Sequence, residues 1–422
     1  MAESGKERKS PPSQSQRTPC EDKIEGQDSA ESQSLSLGHI SKNQVTALIA
    51  FVLGVKALLI TPTFLILQSA TAAWIVVVIS VAVASAGLAG WVKWSRLTPG
   101  TPFYAALKKT LGTTLGTIVC ALMMLSFTIA ISFSMRLFAG GAAIGLLPEF
   151  PVEALLLVLI AASGYAAWLG PESIGRASTF FLVPTLATFF VVALSALKGH
   201  DARNLLPLLG PGPGVVALQG VLRSGLWGIM ASFAALKPYV RSEEDLARGA
   251  RNGLYLAGFG LLVSVVAILM FFPYPASTRL SHPMGMLARA VYLNRFLQRI
   301  EAAFAFSWFY ASAIQASFIY FVLLSMLAEV SGTRTYRPFL PALATLTFGI
   351  GALPVSLLRA EQLLETYFFN TFGLAFVPFG WLLYAVAKLR GVKPAPRSSP
   401  SGGDGVAGNT REEGKPSTQD SG

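Results

Sequence analysis

The stretch Val215-Val216-Ala217-Leu218-Gln219-Gly220-Val221-Leu222-Arg223-Ser224-Gly225-Leu226-Trp227-Gly228-Ile229-Met230-Ala231-Ser232-Phe233-Ala234-Ala235-Leu236 decides how this chain folds. It is long enough to cross a bilayer, which takes about 20 mostly apolar residues. Its middle nevertheless holds an arginine and two glycines, and a glycine inside a helix costs on the order of 1 kcal/mol against alanine. The pattern predicts a crossing helix interrupted at mid-depth. A second interruption, Gly54-Val55-Lys56, lies inside the apolar run Gln44–Leu67. A lysine near the bilayer centre costs ~3 kcal/mol or more. Glycine also lets membrane helices pack closely, so the argument for two breaks rests on their recurrence at matching positions.

Working outward, the 422 residues are 53% hydrophobic and 13% charged, with a mean hydropathy of +0.55. Soluble domains carry roughly a quarter charged residues. Ten stretches are apolar enough to span: Gln44–Leu67, Ala72–Val92, Leu115–Ile144, Val152–Leu169, Ile174–Leu197, Val215–Leu236, Leu254–Phe272, Ala302–Ala328, Phe339–Leu358 and Thr366–Lys388. The fold class expected is an all-α polytopic membrane protein of about ten transmembrane helices. Residues 43–390 form that domain, between tails 1–42 and 391–422 whose polar composition predicts disorder. An even number of spans puts both termini on one side. Lys93, Arg96, Lys108, Lys109, Arg176, Lys237, Arg241 and Arg248 fall in loops of that side, which makes it the cytoplasm.

The net charge of +11 is explained by those loops; no basic stripe with interleaved aromatics argues for nucleic acid. Cys20 and Cys120, with His39, His200 and His282, show no spacing for a disulfide or a metal, and no cofactor is expected. No paired carboxylates or nucleophile–base set lies within a span, so an enzyme is not expected. In the connection Tyr274–Ile300, Met286, Leu287, Ala290 and Val291 recur at helical spacing, which predicts an amphipathic helix, either lying on the outer interface or solvated within the loop.

Spans 1 and 6 each lead a group of five. Broken helices at corresponding places in two halves point to a 5+5 inverted repeat of the transporter kind. Such a break turns backbone amides and carbonyls toward a ligand instead of toward the helix. On span 3, Ser126, Ala130 and Ser134 share one face; on span 8, Gln315 is an amide that needs partners if buried.

Several motifs resemble one family. They are Asn204-Leu205-Leu206-Pro207 before span 6, Lys237-Pro238-Tyr239-Val240 after it, and Arg299-Ile300-Glu301-Ala302-Ala303-Phe304 with Trp308 on span 8. Tyr336-Arg337-Pro338 and Ile40-Ser41-Lys42-Asn43-Gln44 complete the set. In order and spacing the chain resembles the B subunit of spore germinant receptors, the GerAB-type spore germination permeases, over about residues 40–390. The resemblance implies a LeuT-like fold of the amino acid–polyamine–organocation superfamily. It also implies a multi-pass protein of the endospore inner membrane that senses a germinant, usually an amino acid. Its partners would be the A-type and C-type receptor subunits and the lipid bilayer.

Carried over by position, the ligand site comprises Gly54, Val55 and Lys56, the face Ser126, Ala130 and Ser134, and Gly225, Leu226, Trp227 and Gly228. Ser312, Gln315 and Phe372 complete it. Arg299 and Glu301 are expected to be structural, fixing the entry of span 8. The chain departs from the family where a carboxylate often follows the span 6 glycine; here Ile229 and Met230 stand. Ser134 replaces a glutamate found elsewhere, and Lys56 is an added cation. A proton-coupled amino-acid symporter is the alternative function; the absence of mid-depth carboxylates in spans 1–6 weighs against it.

Overall fold

The computed structural model describes residues 40–58, 60–145, 149–195, 201–280, 282–290 and 300–392. Almost all of them are helical. Among the described residues, eight helical stretches are long and apolar enough to cross a membrane: Thr61–Leu97, Thr113–Ile144, Val152–Leu169, Pro171–Leu194, Pro213–Tyr239, Glu243–Phe271, Ala302–Ser331 and Leu357–Leu389. The two remaining spans are built from shorter pieces. Span 9 is the helix Leu340–Ala352. Span 1 is the helix Lys42–Gly54, a 3-10 turn at Val55–Leu58, and a second helix Thr61–Ser69 that runs on toward span 2.

Local chemistry explains these limits. Ser41 and Gln44 form a reciprocal capping box that starts span 1, which fixes the first helix by satisfying two otherwise orphaned amides. Pro62 sits in the first turn of the second helix, where its missing N–H cannot continue a ladder from the preceding turn. Span 7 starts at Glu243 rather than Leu254, because Ser242 caps it and three acids occupy its first turn. Span 9 ends at Ala352 rather than Leu358. Ser356 then caps a new helix, so span 10 begins at Leu357 rather than Thr366.

Span 6 is α-helical over Pro213–Leu222 and winds more tightly, as a 3-10 helix, from Arg223 to Tyr239. Runs of that helix longer than a few residues are uncommon and often mark a hinge. Span 10 does the opposite: Leu363–Gly373 widens into a π-helix before α-helix resumes at Leu374. The narrow segment of span 6 and the wide segment of span 10 pack together.

Span 1 packs along span 7, while span 2 packs on spans 6, 7 and 10. Spans 3, 4, 8 and 9 pack on one another, and span 8 also covers span 5. Small residues set the closest approaches: a Cβ on Gly253 of span 7 would meet Ile49 at 2.7 Å. Spans 2 and 10 interlock through paired tryptophans. Trp91 Nε1 donates to the Phe376 carbonyl at 2.9 Å and Trp381 Nε1 to that of Ala86 at 2.7 Å. At the end of the bundle that holds Lys42, the Ile40 N–H donates to the Tyr239 carbonyl at 2.7 Å, tying the start of span 1 to the end of span 6.

In the connection between spans 7 and 8, Pro283–Ala290 is a helix with Pro283, Met284, Leu287 and Ala288 buried. The expected continuation of that amphipathic helix lies outside the described residues, as do Arg299 and the side chain of Glu301. Most of the two expected tails lies outside them as well.

Candidate functional site

Spans 1, 6 and 10 meet around a buried cluster of charge. Lys56 stands on the 3-10 turn of span 1, and its ammonium donates to the Leu226 carbonyl of span 6. The same ammonium lies 4.4 Å from the ring centroid of Phe369 on span 10. Arg223, at the point where span 6 tightens, donates from Nη1 to the backbone carbonyl of Glu365 at 2.9 Å and from Nη2 to Gln68 Oε1. The Thr61 hydroxyl donates to Glu365 Oε1. Lys56, Arg223 and Glu365 are only 5%, 2% and 2% exposed. Isolated charges at such burial would cost several kcal/mol each. Here two cations, a carboxylate and an aromatic face offset one another, and Glu365 is within electrostatic range of both cations. Glu361 lies one helical turn from Glu365 and is buried too.

The breaks leave backbone carbonyls that side chains from other spans take up. Gln315 Nε2 of span 8 donates to the Val52 carbonyl at 3.0 Å, and Ser264 Oγ of span 7 donates to that of Ala57 at 2.9 Å. Trp227 Nε1 donates to Ser80 Oγ of span 2 at 3.0 Å. Irregular backbone at membrane depth is tolerable only with such partners. Glu365 Oε2 and Arg223 Nε in the cluster, and Gln315 Oε1 beside the span 1 break, are buried polar atoms without a partner among the described residues.

The expected site residues separate into three groups. Val55, Lys56, Leu226, Trp227 and Gln315 are buried at or beside the crossing of the breaks, and Gly54 closes the first half of span 1. Gly225 and Gly228 serve a backbone crossing: a Cβ on them would lie 2.0 Å from the Phe369 carbonyl and 2.1 Å from that of Gly373. The third group is not brought to the charge cluster by any bond. Ser126 donates within its own helix to Leu122 at 2.7 Å, and Ala130 and Ser134 are buried on the same span. Ser312 donates to the Trp308 carbonyl at 2.6 Å and lines a separate cavity of about 50 Å³ with Phe138 and Trp308. Phe372 is 43% exposed, because the π-helical turn rotates Phe369 inward instead.

A cavity of about 60 Å³ lies against the span 1 break, lined by Gly54, Val55, Ala57, Thr185, Phe189 and Ala257. It is almost wholly apolar and large enough for a methyl-sized group or a few waters. A wider cleft of about 400 Å³ lies at the end of the bundle away from Lys42, lined by Thr71, Arg203, Asn204 and Tyr274 among others.

Sequence reasoning missed Glu361, Glu365, Phe369, Thr61 and Gln68. The carboxylates fell in what was expected to be the loop before span 10. Their spacing, Glu361 and Glu365 at i and i+4 after the capping residue Ser356, was the available signal.

A solved structure shares this fold. The solved structure of MhsT in complex with L-phenylalanine superposes with a TM-score of 0.59 at 13% identity, covering 82% of this chain and 88% of that one. Spore germination protein A2 of Bacillus subtilis (strain 168) is 26% identical over 164 residues, which is 39% of this chain and 43% of that protein's length. Residues 39–358 match the spore permease family, described as spore germination protein. With a ten-span, LeuT-like helical bundle broken at spans 1 and 6, this chain belongs to the spore germination protein family.

Proposed function

We propose that this chain is the ligand-sensing membrane subunit of a spore germination receptor, with its site at the crossing of the span 1 and span 6 breaks. The observation that carries the reading is the bond from Lys56 to the Leu226 carbonyl, which joins the two breaks directly. A ligand binding there lies against that bond, so its binding is coupled to the relative position of spans 1 and 6. Family membership supports germination as the process. The reading places both termini in the cytoplasm and the protein in the endospore inner membrane, beside A-type and C-type subunits. An amino acid is the class that the family resemblance implies.

One observation favours a second reading, proton-coupled transport. Span 10 supplies the buried carboxylates Glu361 and Glu365, of which Glu365 is within electrostatic range of Lys56. Intramembrane carboxylates of this kind mark proton pathways in transporters. Proteoliposomes carrying the purified chain separate the two. Saturable ligand binding without accumulation is the expected result, whereas concentrative uptake driven by a proton gradient would overturn the sensor reading.

A further inference from the structure

Three features around the Lys56 ammonium are those that recognise a protonated amine. The Leu226 carbonyl accepts its N–H, the Phe369 face lies 4.4 Å away, and the Glu365 carboxylate is within electrostatic range. The side chain is buried along its length, so the ammonium arrives from inside the protein on its own four-carbon stem. The break of span 6 is thus already filled, at its amine-binding part, by the chain itself.

We propose that Lys56 is a tethered occupant of an ammonium subsite, and that the ligand this chain accepts is a short hydroxy acid lacking a protonated amine. The proposal rests on the reading that the crossing of the breaks is the ligand site, and it departs from the amino acid implied by resemblance. The unpartnered groups nearby fit a hydroxyl, which both donates and accepts. Gln315 Oε1 and Glu365 Oε2 accept, and Arg223 Nε donates. Lys56 and Arg223 together offer the positive charge that a ligand carboxylate needs.

L-lactate and L-alanine differ by a hydroxyl in place of the ammonium, so they form the probe pair. Thermal unfolding of the purified full chain is measured with each, for the parent and for Lys56→Met. The parent should be stabilised by L-lactate and not by L-alanine. Lys56→Met, which keeps the stem and removes the charge, should gain at least about tenfold in apparent affinity for L-alanine. A Lys56→Gly variant removes the tethered amine, and n-butylammonium should restore its unfolding midpoint while n-butanol should not. Stabilisation of the parent by L-alanine that Lys56→Met abolishes would overturn the proposal, as would a Lys56→Gly variant indifferent to n-butylammonium. Rescue by n-butylammonium with no response of the parent to either acid would support the tethered occupant and sink the ligand-sensing reading beneath it.

Discussion

Placing a methyl group at the crossing of spans 6 and 10 tests whether the two helices are held backbone to backbone. A Cβ on Gly225 would lie 2.0 Å from the Phe369 carbonyl, and one on Gly228 would lie 2.1 Å from that of Gly373, where ordinary contact begins at 3.4 Å. The obstacles are backbone atoms, which cannot swing aside as a side chain would. The spans must therefore separate locally by about 1.3 Å, and overpacking of this kind costs roughly 1–3 kcal/mol or more. At about 2 °C per kcal/mol for a chain of this size, each alanine variant should lower the unfolding midpoint by several degrees. Gly260→Ala and Gly349→Ala provide the internal control. Both positions are helical and nothing lies within 4 Å of their added Cβ, so helix propensity alone should leave them neutral or slightly stabilised. Differential scanning of the four purified variants in one detergent makes the comparison. If Gly225→Ala and Gly228→Ala unfold with the controls, the close crossing does not exist and the registry of span 10 on span 6 is wrong.

Glu365→Gln keeps the shape and the Thr61 contact but leaves Lys56 and Arg223 without the carboxylate between them, at a cost on the order of 3 kcal/mol. Adding Lys56→Met to it should recover part of that loss, and strictly additive effects in the double-mutant cycle would count against a shared cluster. Burial and the nearby Arg289 hold the His282 imidazole below its ordinary pKa, so the folded state favours the neutral ring. The unfolded state then binds more protons, and the stability that His282 contributes at neutral pH is lost as pH falls below about 6.5. A His282→Phe variant should show a smaller fall in unfolding midpoint between about pH 7.5 and about pH 5.5 than the parent does; equal falls would refute the assignment.

The spans and the two breaks were legible because their signals are local. Gly54 and Lys56 in one apolar run, and Arg223, Gly225 and Gly228 in another, violate the rules for a plain membrane helix within a single turn. What the breaks contact was not legible. The partner of Lys56 is a backbone carbonyl, which carries no sequence signature, and its aromatic neighbour Phe369 faces inward only because a π-helical turn shifts the phase of span 10. The family resemblance, carried over by position, selected Phe372 instead, and the chain presents it outward. Glu361 and Glu365 were lost for a simpler reason. Leu353-Pro354-Val355 separates two helices inside what looked like one apolar run, and the cap at Ser356 starts span 10 about two and a half turns ahead of its hydrophobic stretch. Gly225 and Gly228 show the reverse: their positions were read from the sequence, but only the fold shows that the space they leave is filled by the backbone of span 10.

The bond from Ile40 to Tyr239 gives the two broken helices a common fulcrum. At 2.7 Å it tolerates a slip of less than about an ångström before it is lost. Lengthwise sliding of one helix past the other is thereby stopped at that end, and the freedom left is tilt about a shared point. Tilt moves the far halves most and the pinned ends least. A force applied at Ile40 therefore reaches both broken helices through the same pivot.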